Sequence, residues 1–127
     1  MIEGSGIDIV EIKQMREAHK KWGNNFLKKI FAPKEIAYSF KKRFPYQHLA
    51  GRFAAKEATI KAFSNGWGKS IDLSSIEVSN DKDGKPRIKL KGNFKKLCEK
   101  RKLNEIVISM SHSKNFAVAS CILIKNR

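Results

Sequence analysis

The sequence predicts an α+β domain: a largely antiparallel sheet packed against one long helix and shorter helices. Three observations lead there. Stretches rich in β-branched residues lie at both ends of the chain, "MIEGSGIDIVEI" at the start and "NEIVISMSH" with "FAVASCILI" at the end. The middle carries helical periodicity, most clearly in "PYQHLAGRFAAKEATIKAF". Strand, then helices, then strands, joined by short turns, suit segregated α and β elements rather than alternating βαβ units. With 127 residues, 41% hydrophobic and 31% charged, the chain suits one domain over 1–127 with a modest core of its own.

Each element follows in order. Residues 2–10 read as a strand, with Ile2, Gly4, Gly6, Asp8 and Val10 on one face and Glu3, Ser5, Ile7 and Ile9 on the other. "EIKQMREAHKKW" reads as a basic helix, with Ile12, Met15 and Ala18 on one side and Lys13, Arg16 and Lys20 on others. "NNFLKKIF" predicts a second short helix stopped near Pro33, and Pro33 then opens "PKEIAYSFKKR" at a favourable first-turn position. Pro45 starts a long helix, about 46 to 64, ended by Asn65-Gly66. "LSSIEVSN", "DKDG" and "KPRIKLKG" read as strand, turn and returning strand, a β-hairpin. "NFKKLCEKRK" is a short basic helix with Asn93 as its N-cap. The last two β-branched stretches are buried strands joined by "SHSKN".

Composition narrows the function. Twenty-seven Lys+Arg against 12 Asp+Glu give a net charge of +15, so polyanions are the natural partners: nucleic acid, an acidic protein or a phosphate-rich cofactor. No apolar run approaches the ~20 residues that cross a bilayer. The start lacks a basic n-region, so no signal peptide is expected. Cys98 and Cys121 are not spaced as CxxC, and read as free thiols of a cytoplasmic protein. "GWGKS" resembles the tail of a phosphate-binding loop, but Phe63 stands where that loop needs glycine. "GSGIDI" lacks the third glycine of a dinucleotide fingerprint. His19, His48 and His112 fit no zinc spacing. Ser111 and His112, neighbours on a strand, point to opposite faces and cannot form a couple. Alone at a strand end beside a turn, His112 reads as a structural histidine or one at the rim of a site.

Two carboxylates stand at unexpected places. At ~100° per residue, Leu49, Ala50, Phe53, Ala54, Ile60 and Phe63 share one arc of the long helix, and Glu57 lies inside it with Lys61 one turn on. A carboxylate withdrawn from water costs several kcal/mol unless it is paired or bound to a cation. Glu57 is therefore neutralised by Lys61 and other cations, or by something bound. Asp8, on the face of Ile2 and Val10, is a capping or salt-bridged aspartate or a second ligand. Together the two could hold magnesium, which takes one or two carboxylates and fills its octahedron with waters and substrate phosphates.

"GIDIVEI", "FAPKE", "RFAAKEATIKAF", "DGKP" and "SMSHS" occur in that order. The ordered set, over residues 4 to 119, closely resembles the short class of 4′-phosphopantetheinyl transferase, the holo-[acyl-carrier-protein] synthases. The resemblance implies transfer of the phosphopantetheine arm of coenzyme A to a serine of apo-acyl carrier protein. That reaction releases adenosine 3′,5′-bisphosphate, depends on Mg2+ and activates the carrier for fatty acid biosynthesis. It implies Asp8 and Glu57 as metal ligands, Lys61 as a pyrophosphate contact, and Arg52, Gly84, Lys85, Pro86 and His112 as coenzyme A contacts. Something must accept the serine proton: Glu57 is a candidate, directly or through a metal-bound water, and Glu35 is a second candidate near that water. It implies a homotrimer with each site at a subunit interface. An acidic carrier would dock on the first helix through Lys13, Arg16, Lys20 and Lys21, with Lys28 and Lys29 behind them.

The chain departs from the family's pattern twice. Lysines predominate on the first helix where arginines are usual, which alters any bidentate contacts. Asp83 stands where the hairpin ordinarily carries asparagine, adding a negative charge beside an expected phosphate. Two rival readings fit less well. A small basic nucleic-acid-binding protein explains the charge but not Asp8 or Glu57, and brings neither a stacking pair nor a recognition helix. A non-catalytic adaptor for acidic proteins would have no use for the Asp8, Glu57 and Lys61 set. Neither nucleic acid nor membrane is expected as a partner.

Overall fold

The computed structural model describes residues 1–63 and 72–126. The expected Asn65-Gly66 helix stop and the "GWGKS" stretch lie outside the described residues. The elements are β1 (Ile2–Glu11), α1 (Ile12–Ile30), α2 (Pro33–Phe40), α3 (Pro45–Phe63), a 3-10 turn (Leu73–Ser75), β2 (Ile76–Asn80), β3 (Pro86–Leu90), α4 (Gly92–Lys100), β4 (Glu105–His112) and β5 (Phe116–Ile124). The two helices expected over residues 11–31 are the halves of α1, which breaks at Gly23, where φ is +73°.

All strand pairings are antiparallel, as predicted, but among the described residues they form two sheets rather than one. The main sheet has the order β1-β5-β4, and β2 pairs with β3 alone. A period of two reveals a strand, but it cannot say which sheet the strand joins. Two local expectations are also corrected. Leu73–Ser75 form a 3-10 turn capped by Asp72, whose carboxylate accepts from Ser74 N. Helix α4 begins one residue before Asn93, with Lys91 in the cap position and no side-chain cap.

Helix α3 is the centre of the core. Its residues are buried on most sides, including Leu49, Ala50, Gly51, Ala54, Ala55, Ala58, Thr59, Ala62 and Phe63. The single apolar arc read from the sequence is thus only part of the buried surface, because alanine and glycine let neighbours close in all round. The even face of β1 packs on it. A Cβ added at Gly4 would lie 2.1 Å from Ala62 O, and one at Gly6 2.0 Å from Ala58 O. No side chain fits there, so these glycines set the distance between strand and helix. On the opposite face, among the described residues, Ile7 and Ile9 of β1 are 64% and 63% exposed. Register places Ile7 opposite Ser120 and Ile9 opposite Val118.

Candidate active site

The close β1–α3 contact brings the two unexpected carboxylates to one place. Asp8 follows Gly6 on the face turned to α3, and Lys61 Nζ donates to its Oδ1 at 2.9 Å and to Ile7 O at 3.1 Å. Glu57 lies one turn before Lys61, half-buried. Burial pushes its carboxyl pKa up, the charge of Asp8 pushes it further, and Lys61 opposes both. Two carboxylates beside one lysine make a net anionic, partly desolvated pocket. That is a site for a hard cation whose coordination is completed by water and phosphate oxygens. Among the described residues, no group of three or more His, Cys, Asp or Glu side chains is arranged to hold a metal ion.

A second cluster lies on the other flank of α3. Arg52 is only 2% exposed. Its guanidinium lies over the Tyr38 ring at 4.1 Å, and Nη2 donates to Asn80 Oδ1 at 2.6 Å. Asn80 Nδ2 in turn donates to Gly84 O at 3.0 Å, at the turn of the β2–β3 hairpin. The His48 and Tyr38 rings meet edge-on at 5.9 Å, and the His48 and His112 rings lie 6.4 Å apart. Burial lowers the His48 pKa, and Arg52, His112 and Lys42 lower it further. This flank therefore collects cations and rings around the expected coenzyme A contacts Arg52, His112 and Gly84, with Lys85 and Pro86 following in the chain.

The two clusters do not meet within one chain. Arg52 and Lys61 are nine residues apart, so they leave α3 on sides about 180° apart. Asp8 belongs to β1 and His112 to β4, the two edges of the main sheet.

Behind both clusters lies an ion pair that the sequence did not reveal. Lys56 and Glu35 side chains are fully buried and bond at 2.7 Å. Lys56 Nζ also donates to Leu73 O and Ile76 O. Glu35 accepts from Ala32 N at 2.9 Å and Val78 N at 3.1 Å. Burial pulls the Lys56 pKa down and Glu35 holds it up. Glu35, expected near a catalytic water, is instead occupied in tying α2 to α3 and β2. The available signal was Lys56 itself, a lysine among Ala54, Ala55, Ala58 and Thr59. Tyr38, His48 and Asn80 carried no local signal.

On the expected docking face, Lys13, Arg16, Lys20 and Lys21 are exposed along α1, as are Lys28 and Lys29 beyond Gly23. A groove of about 390 Å³ runs beside it, lined by Ile12, Arg16, Arg43, Phe44, Tyr46 and Lys114, among others. Its lining mixes apolar side chains with the cations Arg16, Arg43 and Lys114. No helix among the described residues is long and apolar enough to cross a membrane.

Comparison with known proteins decides the family. The family model of the 4′-phosphopantetheinyl transferase superfamily matches residues 4–121. The chain belongs to that superfamily. It is 44% identical to the holo-[acyl-carrier-protein] synthase of Syntrophus aciditrophicus, over 97% of this chain and 96% of that protein. Among solved structures, the holo-[acyl-carrier-protein] synthase of Neisseria meningitidis superposes with a TM-score of 0.89 at 32% identity. It covers 98% of this chain and 100% of that one. The coenzyme A complex of the enzyme from Chronobacterium ammoniagenes gives a TM-score of 0.82 at 32% identity, over 98% of each chain. As a phosphopantetheinyl transferase, the chain has the α+β fold expected of it, and its acidic pair lies at the contact of β1 with α3.

Proposed function

We propose that this chain transfers the 4′-phosphopantetheine arm of coenzyme A to a serine of an apo-acyl carrier protein, releasing adenosine 3′,5′-bisphosphate. One observation carries the reading: Asp8, Glu57 and Lys61, from the strand and helix that Gly6 holds together, share one partly desolvated pocket. Asp8 and Glu57 fit magnesium, and the ion bound there would supply charge neutralisation for a diphosphate. Lys61, 55% exposed and bonded to Asp8, would supply a positive charge to a pyrophosphate oxygen bound beside it. The carrier's serine hydroxyl attacks the β-phosphorus and the bisphosphate leaves, so positioning and a fixed positive charge are the main requirements. Glu57, half-buried beside Asp8 and Lys61, is our candidate acceptor for the serine proton, directly or through a water.

Coenzyme A is proposed to lie along the other flank, against Gly84, Lys85, Pro86 and His112. The separation of the two flanks within one chain supports a homotrimer whose sites form between copies. The face bearing Ile7, Ile9, Val118 and Ile122 supplies an apolar surface for it. The cationic groove beside α1 suits an acidic carrier. A reducing, cytoplasmic setting agrees with Cys98 and Cys121 as free thiols, Cys121 pushed up to about 11 by burial. The test is intact-mass spectrometry of apo-carrier incubated with coenzyme A and magnesium. A gain of one phosphopantetheine is expected, and no gain on several carriers refutes the reading.

A further inference from the structure

The geometry points to Asn80 as a positioning residue, which sets the coenzyme A affinity of the proposed site by fastening the β2–β3 turn to Arg52. The inference rests on the reading above that the hairpin turn contacts coenzyme A.

The hairpin needs such a fastening. Among the described residues it is a separate two-stranded sheet, with no ladder bond to the main one. An isolated hairpin is marginal, so other groups must hold it. Its base is held by Ile76 and Val78 in the core and by the Glu35–Lys56 pair, which bonds Val78 N, Leu73 O and Ile76 O. Its turn is ordered within itself by Asp81, whose Oδ1 accepts from Asp83 N and Lys85 N, both at 2.9 Å. Those bonds shape the turn but do not say where it points.

Asn80 supplies the link. Its amide faces a donor-only guanidinium and an acceptor-only carbonyl, so Oδ1 must meet Arg52 and Nδ2 must meet Gly84 O. Arg52 is itself closely enclosed: it is 2% exposed and stacked on Tyr38, and among the described residues its Nε is buried with no hydrogen-bond partner. A buried cation with an unsatisfied donor is costly, and the charge-assisted bond to Asn80 offsets part of that cost. Arg52 thus contributes through Asn80. The chain of bonds runs from α3 to the carbonyl of Gly84, next to Lys85 and Pro86.

Asn80 sits at a half-buried strand end, so its substitution spares the core. Asn80→Asp keeps an acceptor for Arg52 but sets a carboxylate against Gly84 O. Asn80→Leu removes both bonds. The test compares these with wild type and with Ser79→Ala, an exposed neighbour, by calorimetric titration with coenzyme A, by kinetics and by thermal melting. The expectation is that Kd and KM for coenzyme A rise about tenfold in both Asn80 variants, the size of one lost charge-assisted bond. KM for the carrier should stay near wild type, the melting midpoint should fall by a few degrees in Asn80→Leu and less in Asn80→Asp because buried Arg52 loses a partner, and Ser79→Ala should bind as wild type does. Unchanged coenzyme A affinity in both Asn80 variants overturns the inference. So does an equal rise in both KM values with a lowered midpoint, which marks a general structural role. A wild-type chain that binds no coenzyme A overturns the parent reading, and this inference with it.

Discussion

Lys61 Nζ lies 2.9 Å from Asp8 Oδ1, although 53 residues separate the two in the chain. The contact exists because β1 lies directly on α3, with no side chains between them at Gly4 and Gly6. It makes the acidic pocket a product of backbone packing.

Gly6→Ala tests that dependence. The new methyl would lie 2.0 Å from Ala58 O, which is backbone and cannot give way. The strand must lift from the helix, at a cost of about 1–3 kcal/mol or more. We expect a lower melting midpoint, and a loss of transfer activity persisting at temperatures where the variant is still folded. A variant with wild-type activity would mean that the pocket does not need this spacing.

The Glu35–Lys56 pair predicts an asymmetric response. Lys56→Met strands a buried carboxylate and should destabilise the fold by about 3–5 kcal/mol. Adding Glu35→Leu removes that charge, though Ala32 N and Val78 N lose their acceptor. The double variant should therefore lose less than the sum of the singles in denaturant titrations. Strict additivity would show that the pair is not coupled.

His48 predicts a pH effect of definite sign. Its pKa is lowered from 6.5, first by burial and then by Arg52, His112 and Lys42, while the Tyr38 ring lies beside it. Between the lowered value and 6.5 the unfolded chain binds a proton that the folded chain does not. Stability therefore falls as pH drops through this window, and levels off below it. Melting midpoints measured from pH 7.5 to 5 should show the decline in wild type and a shallower one in His48→Gln. Equal slopes would remove His48 from the account.

Charge reversal at Arg16 and Lys20 should raise KM for the carrier by about tenfold at low salt and change coenzyme A affinity little. The difference should shrink as ionic strength rises. If coenzyme A binding alone suffers, the docking face lies elsewhere.

What the sequence disclosed and what it hid have physical causes. Asp8 and Glu57 were legible because each interrupts an apolar face of a recognisable period, and so were the five strands and the helices around Pro33 and Pro45. The helix at Gly92 was misread at its cap because the polar residue Asn93 falls one place inside it. The second sheet was hidden because pairing partners are not encoded in alternation. The Lys56–Glu35 pairing and the Tyr38–Arg52–Asn80 chain were hidden for a deeper reason, although Lys56 among alanines was a faint signal. Their meaning comes from contacts with segments 14 to 43 residues away, and a lysine or asparagine in isolation looks like solvated surface.

The most direct test of the central claim is the magnesium dependence of carrier modification, read by intact mass, for wild type, Asp8→Ala and Glu57→Ala. Wild type should modify the carrier with magnesium and fail with chelator, and each variant should stay folded and lose about a hundredfold or more in rate. Full turnover in either variant, or turnover in wild type that chelator does not touch, would contradict the account.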